Sequence, residues 1–181
     1  LAIFGYTINR YEHLSSYNGL PTKNKLEMLS IEKGLPKVLH TFINDMKQQY
    51  TFDIILKHCS PSFPKELMIK RLKRDGYGIA CCSNSIRKSV EMMLDKSGIL
   101  ESFDFFLSNQ DVTKAKPDPE MYIKAFAQFG IRPDEAVIVE DAGPGIAAAK
   151  KSGAHVLEVP GYEAVEYFRV KEFIARIETN S

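Results

Sequence analysis

The sequence predicts an α/β protein: a Rossmann-like parallel sheet covered by helices on both faces, preceded by a separate helical module. Three observations predict it. From residue 65 onward, short and nearly continuous apolar runs alternate with helical segments, which is the pattern of buried parallel strands joined by crossover helices. Two of those helical segments carry an apolar stripe. Ile86, Val90, Met93 and Leu94 recur at i, i+4, i+7 and i+8, and Tyr122, Ala125, Phe126 and Phe129 at i, i+3, i+4 and i+7. Before residue 61 the texture is helical and holds no convincing strand.

Taken in order, the helical module has one helix over residues 23–33, entered through Pro21 and Thr22 and stopped by Gly34, and a second over residues 36–50, opened by Pro36. The prolines and serines of HCSPSFP, residues 58–64, make the joint. This divides the chain into a helical module over residues 1–60 and an α/β core over residues 61–181. In the core, helix PKELMIKRLKRDG ends at Gly76 and strand YGIACCS follows. Helix SIRKSVEMMLDKSG, strand FDFFLS, helix DPEMYIKAFAQFG, strand AVIVED, helix GIAAAKKSG and strand AHVLEV complete the alternation. Asp118 caps a helix whose first residue is Pro119, and Lys150, Lys151 and Gly153 close the helix after the Gly-Pro-Gly turn.

Composition narrows the function. The chain has 181 residues, 44% hydrophobic, and its 24 basic against 23 acidic side chains leave a net charge of +1. No global field recruits nucleic acid or an anionic membrane, so a small, locally bound ligand is expected. Cys59, Cys81 and Cys82 make no disulfide framework, which points to the cytoplasm. No apolar run reaches the length of a membrane span. The four histidines show no metal-ligand spacing.

In an open parallel sheet, ligands bind beyond the carboxyl ends of the strands. Three strand ends carry polar groups: Ser83-Asn84-Ser85, the loop leading to Lys116, and Glu140-Asp141 followed by Gly143 and Gly145. Singly, the first reads more readily as a helix cap, the second more readily as a solvated lysine, and the third equally well as a turn or N-cap. Together on one rim they suit a phosphoryl group and a divalent cation. A hydroxyl and helix N-terminal amides hold phosphate oxygens, a lysine offsets the charge of phosphoryl transfer, and Mg²⁺ needs one or two carboxylates beside its waters and the phosphate. Gly143, Gly145 and Ala148, with Glu163 about twenty residues on, also match a dinucleotide fingerprint. Glu140 and Asp141 would repel a pyrophosphate there, and Pro144 removes an amide.

IACCSNS, AKPDPEMY and VIVEDAGPGIAAAKKSGA resemble the second, third and fourth motifs of the haloacid-dehalogenase-like hydrolases, in the subgroup of sugar-phosphate phosphatases and β-phosphoglucomutase. YNGLPTKNKLEML, residues 17–29, is similar to that subgroup's helical cap. The resemblance implies that Ser83, with the Asn84 amide, binds the transferring phosphoryl group, that Lys116 neutralises it, and that Asp141, assisted by Glu140, holds Mg²⁺. Gly19 to Lys23 would select substrate from the cap. It further implies an aspartyl-phosphate intermediate. The family's first motif, Asp-x-Asp, does not occur in the chain, so the nucleophile and the core's first strand are expected upstream, and this chain alone is expected not to turn over.

The expected activity is thus an Mg²⁺-dependent phosphatase for a small phosphomonoester, a sugar phosphate, acting as a monomer or homodimer. The alternatives are a β-phosphoglucomutase-like phosphotransferase and a non-catalytic phosphate-binding relative. In the complete protein, Asp141→Asn and Lys116→Ala are each expected to abolish activity with the fold intact.

Overall fold

The structure, a computed structural model, describes residues 1–180. The chain enters through a turn at Ala2–Phe4 and a short helix, α1 (Arg10–Glu12), where Asn9 and Glu12 cap each other's backbone amides at 2.8 and 2.9 Å. Helices α2 (Thr22–Lys33) and α3 (His40–His58) follow. Gly34 ends α2 in the left-handed conformation, its amide donating to the Leu29 carbonyl. Tyr17, Leu26, Leu29, Leu35 and Ile43 form a small core of their own between these helices. The second helix runs well past the expected residue 50, because nothing between there and His58 breaks the pattern. Only the prolines of the joint stop it.

The α/β part is built from α4 (Phe63–Arg74), β1 (Ala80–Cys82), α5 (Arg87–Lys96), β2 (Phe105–Leu107), α6 (Glu120–Phe129), β3 (Val137–Glu140), α7 (Gly143–Ser152), β4 (His155–Glu158) and α8 (Tyr167–Asn180). Every strand and helix expected in the core is present. Helix α6 starts one residue later than expected: Asp118 Oδ1 accepts the Glu120 amide at 3.0 Å, with Pro119 preceding the first helical residue. The sequence reading omitted α8, although Val170, Phe173, Ile174 and Ile177 follow the helical period. Val170 packs with Met68, Ile69 and Leu72 of α4 and Leu157 of β4.

The strands form two parallel pairs. β1 pairs with β2, Ala80 opposite Phe105 and Cys82 opposite Leu107, and β3 with β4, Val137 opposite His155 and Glu140 opposite Glu158. Among the described residues no backbone ladder joins one pair to the other. Between them lies a cavity of about 920 Å³, lined by Ala80 and Cys82 on one side and Val137 to Glu140 on the other, with apolar residues of α4, α6 and α8 around it. Consequently most strand residues are half-buried rather than buried. No helix among the described residues is long and apolar enough to cross a membrane.

Candidate active site

Beyond the carboxyl ends of β1 and β3, and beneath the start of α2 and the middle of α3, lies a polar cleft of about 440 Å³. Its core wall is made by residues 81–86, Asn109, Lys116 and residues 140–142 with Gly145. Its opposite wall is made by Gly19, Leu20, Thr22, Lys25, Lys47 and Gln48. Cys82 and Glu140 line both this cleft and the apolar cavity between the strand pairs.

Ser83 is placed by an extension of the β1–β2 ladder: its amide donates to the Leu107 carbonyl at 2.9 Å, and the Asn109 amide to the Ser85 carbonyl at 3.1 Å. The Ser83 hydroxyl accepts the Ser85 amide at 3.1 Å, leaving its own proton to donate. Helix α5 begins only at Arg87, so residues 83–86 form a turn ahead of it. The Asn84 side chain is committed to holding loops together. Its Nδ2 donates to the carbonyls of Gly19 at 2.8 Å and Lys116 at 3.0 Å, and its Oδ1 accepts the Lys116 amide at 3.1 Å. What Asn84 can offer an anion is its backbone amide.

Lys116 is only 5% exposed. Its ammonium donates to the Cys82 carbonyl at 3.1 Å, to Tyr122 Oη at 3.1 Å and to Glu140 Oε1, so its three protons each have a partner. Tyr122 Oη in turn donates to Glu140 Oε1 at 2.8 Å, and the other Glu140 oxygen accepts the amides of Asp141 at 3.2 Å and Ala142 at 3.4 Å. Burial, then the Glu140 charge, pushes the Tyr122 hydroxyl pKa up. Burial likewise pushes the Cys82 thiol up to about 12, which removes it as a nucleophile.

Gly145 explains how a carboxylate fits at the start of a helix. A Cβ there would stand 2.2 Å from the Glu140 carboxyl carbon, so glycine is required by close approach rather than by a nucleotide. The position a dinucleotide's pyrophosphate would take is filled by the protein's own carboxylate. Asp141, by contrast, is exposed at the cleft. Among the described residues no three His, Cys, Asp or Glu side chains converge on a metal-sized site. One free carboxylate fits a hard cation that keeps its waters, whereas Glu140 is already engaged.

The cap wall differs from the expected one. Gly19 lies where expected, at φ +75°, and a Cβ on it would meet Ala142 Cβ and Pro144 Cδ at 3.1 Å. Lys23 does not line the cleft and is exposed. Lys25, Lys47 and Gln48 line it instead, and the sequence reading missed all three along with Tyr122. Desolvation at the cleft holds the Lys25 and Lys47 ammonium pKa values below the ordinary lysine range, although Lys47 as a residue is exposed, and Lys47 adds repulsion at Lys25. Gln48 Oε1 is buried with no hydrogen-bond partner.

Fold and cleft together define an α/β protein whose polar site lies at the carboxyl ends of parallel strands, facing a helical module. The chain belongs to the haloacid dehalogenase-like hydrolase family, whose model matches residues 1–159. It is 32% identical over 94 residues to the bifunctional riboflavin kinase/FMN phosphatase of Arabidopsis thaliana, an alignment covering 51% of this chain and 25% of that protein. To the phosphoglycolate phosphatase of Nitrosospira multiformis it is 32% identical over 95 residues, covering 52% of this chain and 42% of that one. The crystal structure of β-phosphoglucomutase from Clostridium difficile superposes with a TM-score of 0.80 at 18% identity, over 99% of this chain and 86% of that chain; this likeness concerns the fold. The chain spans less than half the length of the curated relatives it matches.

Proposed function

We propose that the cleft binds the phosphoryl group of a small phosphomonoester, a sugar phosphate, and that the complete protein is a cytoplasmic Mg²⁺-dependent phosphatase. The observation that carries the proposal is Lys116, a buried ammonium fixed by Glu140, Tyr122 and the Cys82 carbonyl at the rim that also bears Ser83 and Asp141. The relatives named as phosphatases support the same chemistry.

In this proposal Ser83 donates its hydroxyl proton to a phosphoryl oxygen, and the Asn84 amide donates to another. Lys116 turns one donor from the Cys82 carbonyl toward the phosphate as negative charge accumulates. Glu140 keeps Lys116 oriented through their ion pair, and Asp141 is the carboxylate that holds Mg²⁺. When bound, the ion offsets phosphoryl charge and orients the group for attack. The attacking aspartate would come from a segment outside these 181 residues, since no Asp-x-Asp occurs in the chain. A strand entering the apolar cavity between β1 and β3 would end where Cys82 and Glu140 open into the cleft, which is the place for such a residue.

The test is Mg²⁺-dependent phosphate release by the full-length protein over a panel of sugar phosphates, beside Asp141→Asn. Release with a rate falling about 10²-fold or more in the variant, and an unchanged unfolding midpoint, is the expected result. Phosphate binding without release would leave a binding relative. Wild-type rates in Asp141→Asn would misplace the metal.

A further inference from the structure

The side chain of Asn84 has a fixed orientation and a complete set of partners. Nδ2 faces two carbonyl oxygens, those of Gly19 at 2.8 Å and Lys116 at 3.0 Å, while Oδ1 faces the Lys116 amide at 3.1 Å. Reversing the carboxamide would set its oxygen against both carbonyls and its NH₂ group against an N–H, so this position needs two donors and one acceptor. A carboxylate lacks the donors, and a hydroxyl has only one. Among the described residues no other group hydrogen-bonds the Lys116 amide or carbonyl. Lys116 is thus held at both ends. Its ammonium is gripped by Glu140, Tyr122 and the Cys82 carbonyl, its backbone by Asn84, and a flexible four-carbon stem runs between. The backbone of Asn84 belongs to the turn ahead of α5 that lines the cleft beside Ser83. One residue therefore ties the anion-binding turn to the cation that meets the same phosphoryl group.

We propose that the Asn84 side chain is a positioning residue for phosphoryl transfer: it sets the spacing between the phosphoryl-binding turn and Lys116. The proposal rests on the phosphomonoester reading above and adds to it a residue that acts through Lys116. This role is separate from that of the Asn84 backbone amide, which any substitution other than proline retains. A misplacement of about 1 Å between groups that meet one phosphoryl costs on the order of 10²-fold in rate. The bond to Gly19 holds the helical module in the same register. A Cβ on that glycine would meet Ala142 and Pro144 at 3.1 Å, so its turn also abuts the loop that follows Asp141.

The experiment compares Asn84→Ala with Asn84→Leu, which nearly keeps the volume, in the full-length protein with Mg²⁺ present and p-nitrophenyl phosphate as the probe. Below the unfolding midpoint of each variant, kcat should fall about tenfold or more while KM stays within about twofold of the wild-type value. The Lys116 amide should lose its protection from hydrogen exchange. A side chain that merely staples loops would lower the midpoint and leave kcat unchanged, and that result overturns the inference. A measurement on the wild type covers the case in which neither variant folds. Titrating inorganic phosphate should shift the Asn84 carboxamide and Lys116 amide resonances together with the Ser83 amide, at one half-saturation. A Ser83 amide that moves while the other two stay still overturns the inference and leaves the phosphomonoester reading standing. If phosphate shifts none of the three, that reading falls with it.

Discussion

The two walls of the cleft are built on opposite principles. On the core wall, the ammonium of Lys116, the carboxylate of Glu140 and the hydroxyl of Tyr122 satisfy one another in a closed network, with Asn84 stapling Lys116 to the glycine loop. On the cap wall, Lys25 and Lys47 repel each other and the Gln48 Oε1 oxygen has no hydrogen-bond partner among the described residues. A satisfied network holds its geometry without a ligand and so preorganises a reaction. Unsatisfied groups wait for one and so discriminate. Under the proposed function, the first wall would carry the chemistry and the second would select the substrate.

The strongest way to break this contrast is Lys116→Ala. The expectation that this variant leaves the fold intact does not survive the structure, because Lys116 and Glu140 have side chains only 7% and 12% exposed. Removing the cation strands a buried carboxylate, at a cost of about 3 to 5 kcal/mol. Urea denaturation should show that loss, and adding Glu140→Gln should recover much of it. If Lys116→Ala unfolds like the wild type, the core wall is not the closed network described.

The joint between the walls is the next target. Gly19 sits at φ +75° with Ala142 and Pro144 against it, and its carbonyl receives Asn84. Gly19→Ala should destabilise by about 1 to 2 kcal/mol from backbone strain alone, and more if the loop moves. The side-chain amide resonance of Asn84 should shift with it in nitrogen-proton spectra. An unperturbed Asn84 would mean that the two walls are not coupled through this residue.

How far each wall could be read in the sequence follows from the same difference. Ser83, Lys116 and Asp141 were legible because strand-end loops of an α/β fold put their residues on one rim whatever the details of packing. Tyr122 was read as part of the apolar stripe of α6, and so it is; the missing step was to ask where its buried hydroxyl finds a partner. The pairing of Glu140 with Lys116 spans 24 residues and depends on side-chain reach, which periodicity does not report. The gap between the strand pairs escaped notice for a related reason. Apolar runs announce strands but not which edges are paired.

The cap wall was misread by two residues, and the smallest predicted effect tests why. Thr22 and Lys25, three apart, share the face of α2 that lines the cleft, while Leu26 and Leu29 turn toward the small core beneath. Lys23 lies about 100° around the helix from Thr22 and is exposed outside the cleft, where it adds a little to the lowering of the Glu27 carboxyl pKa that the Lys37 hydrogen bond mainly causes. Three lysines, Lys23, Lys25 and Lys33, mark this helix, and sequence alone does not say which one the packing of α2 on α3 will turn inward. Lys23→Ala should therefore change stability by no more than about 0.5 kcal/mol and leave ligand affinity at the wild-type value. A titration of inorganic phosphate in which Lys23→Ala weakens binding as much as Lys25→Gln does would rotate α2 and erase the distinction between the walls.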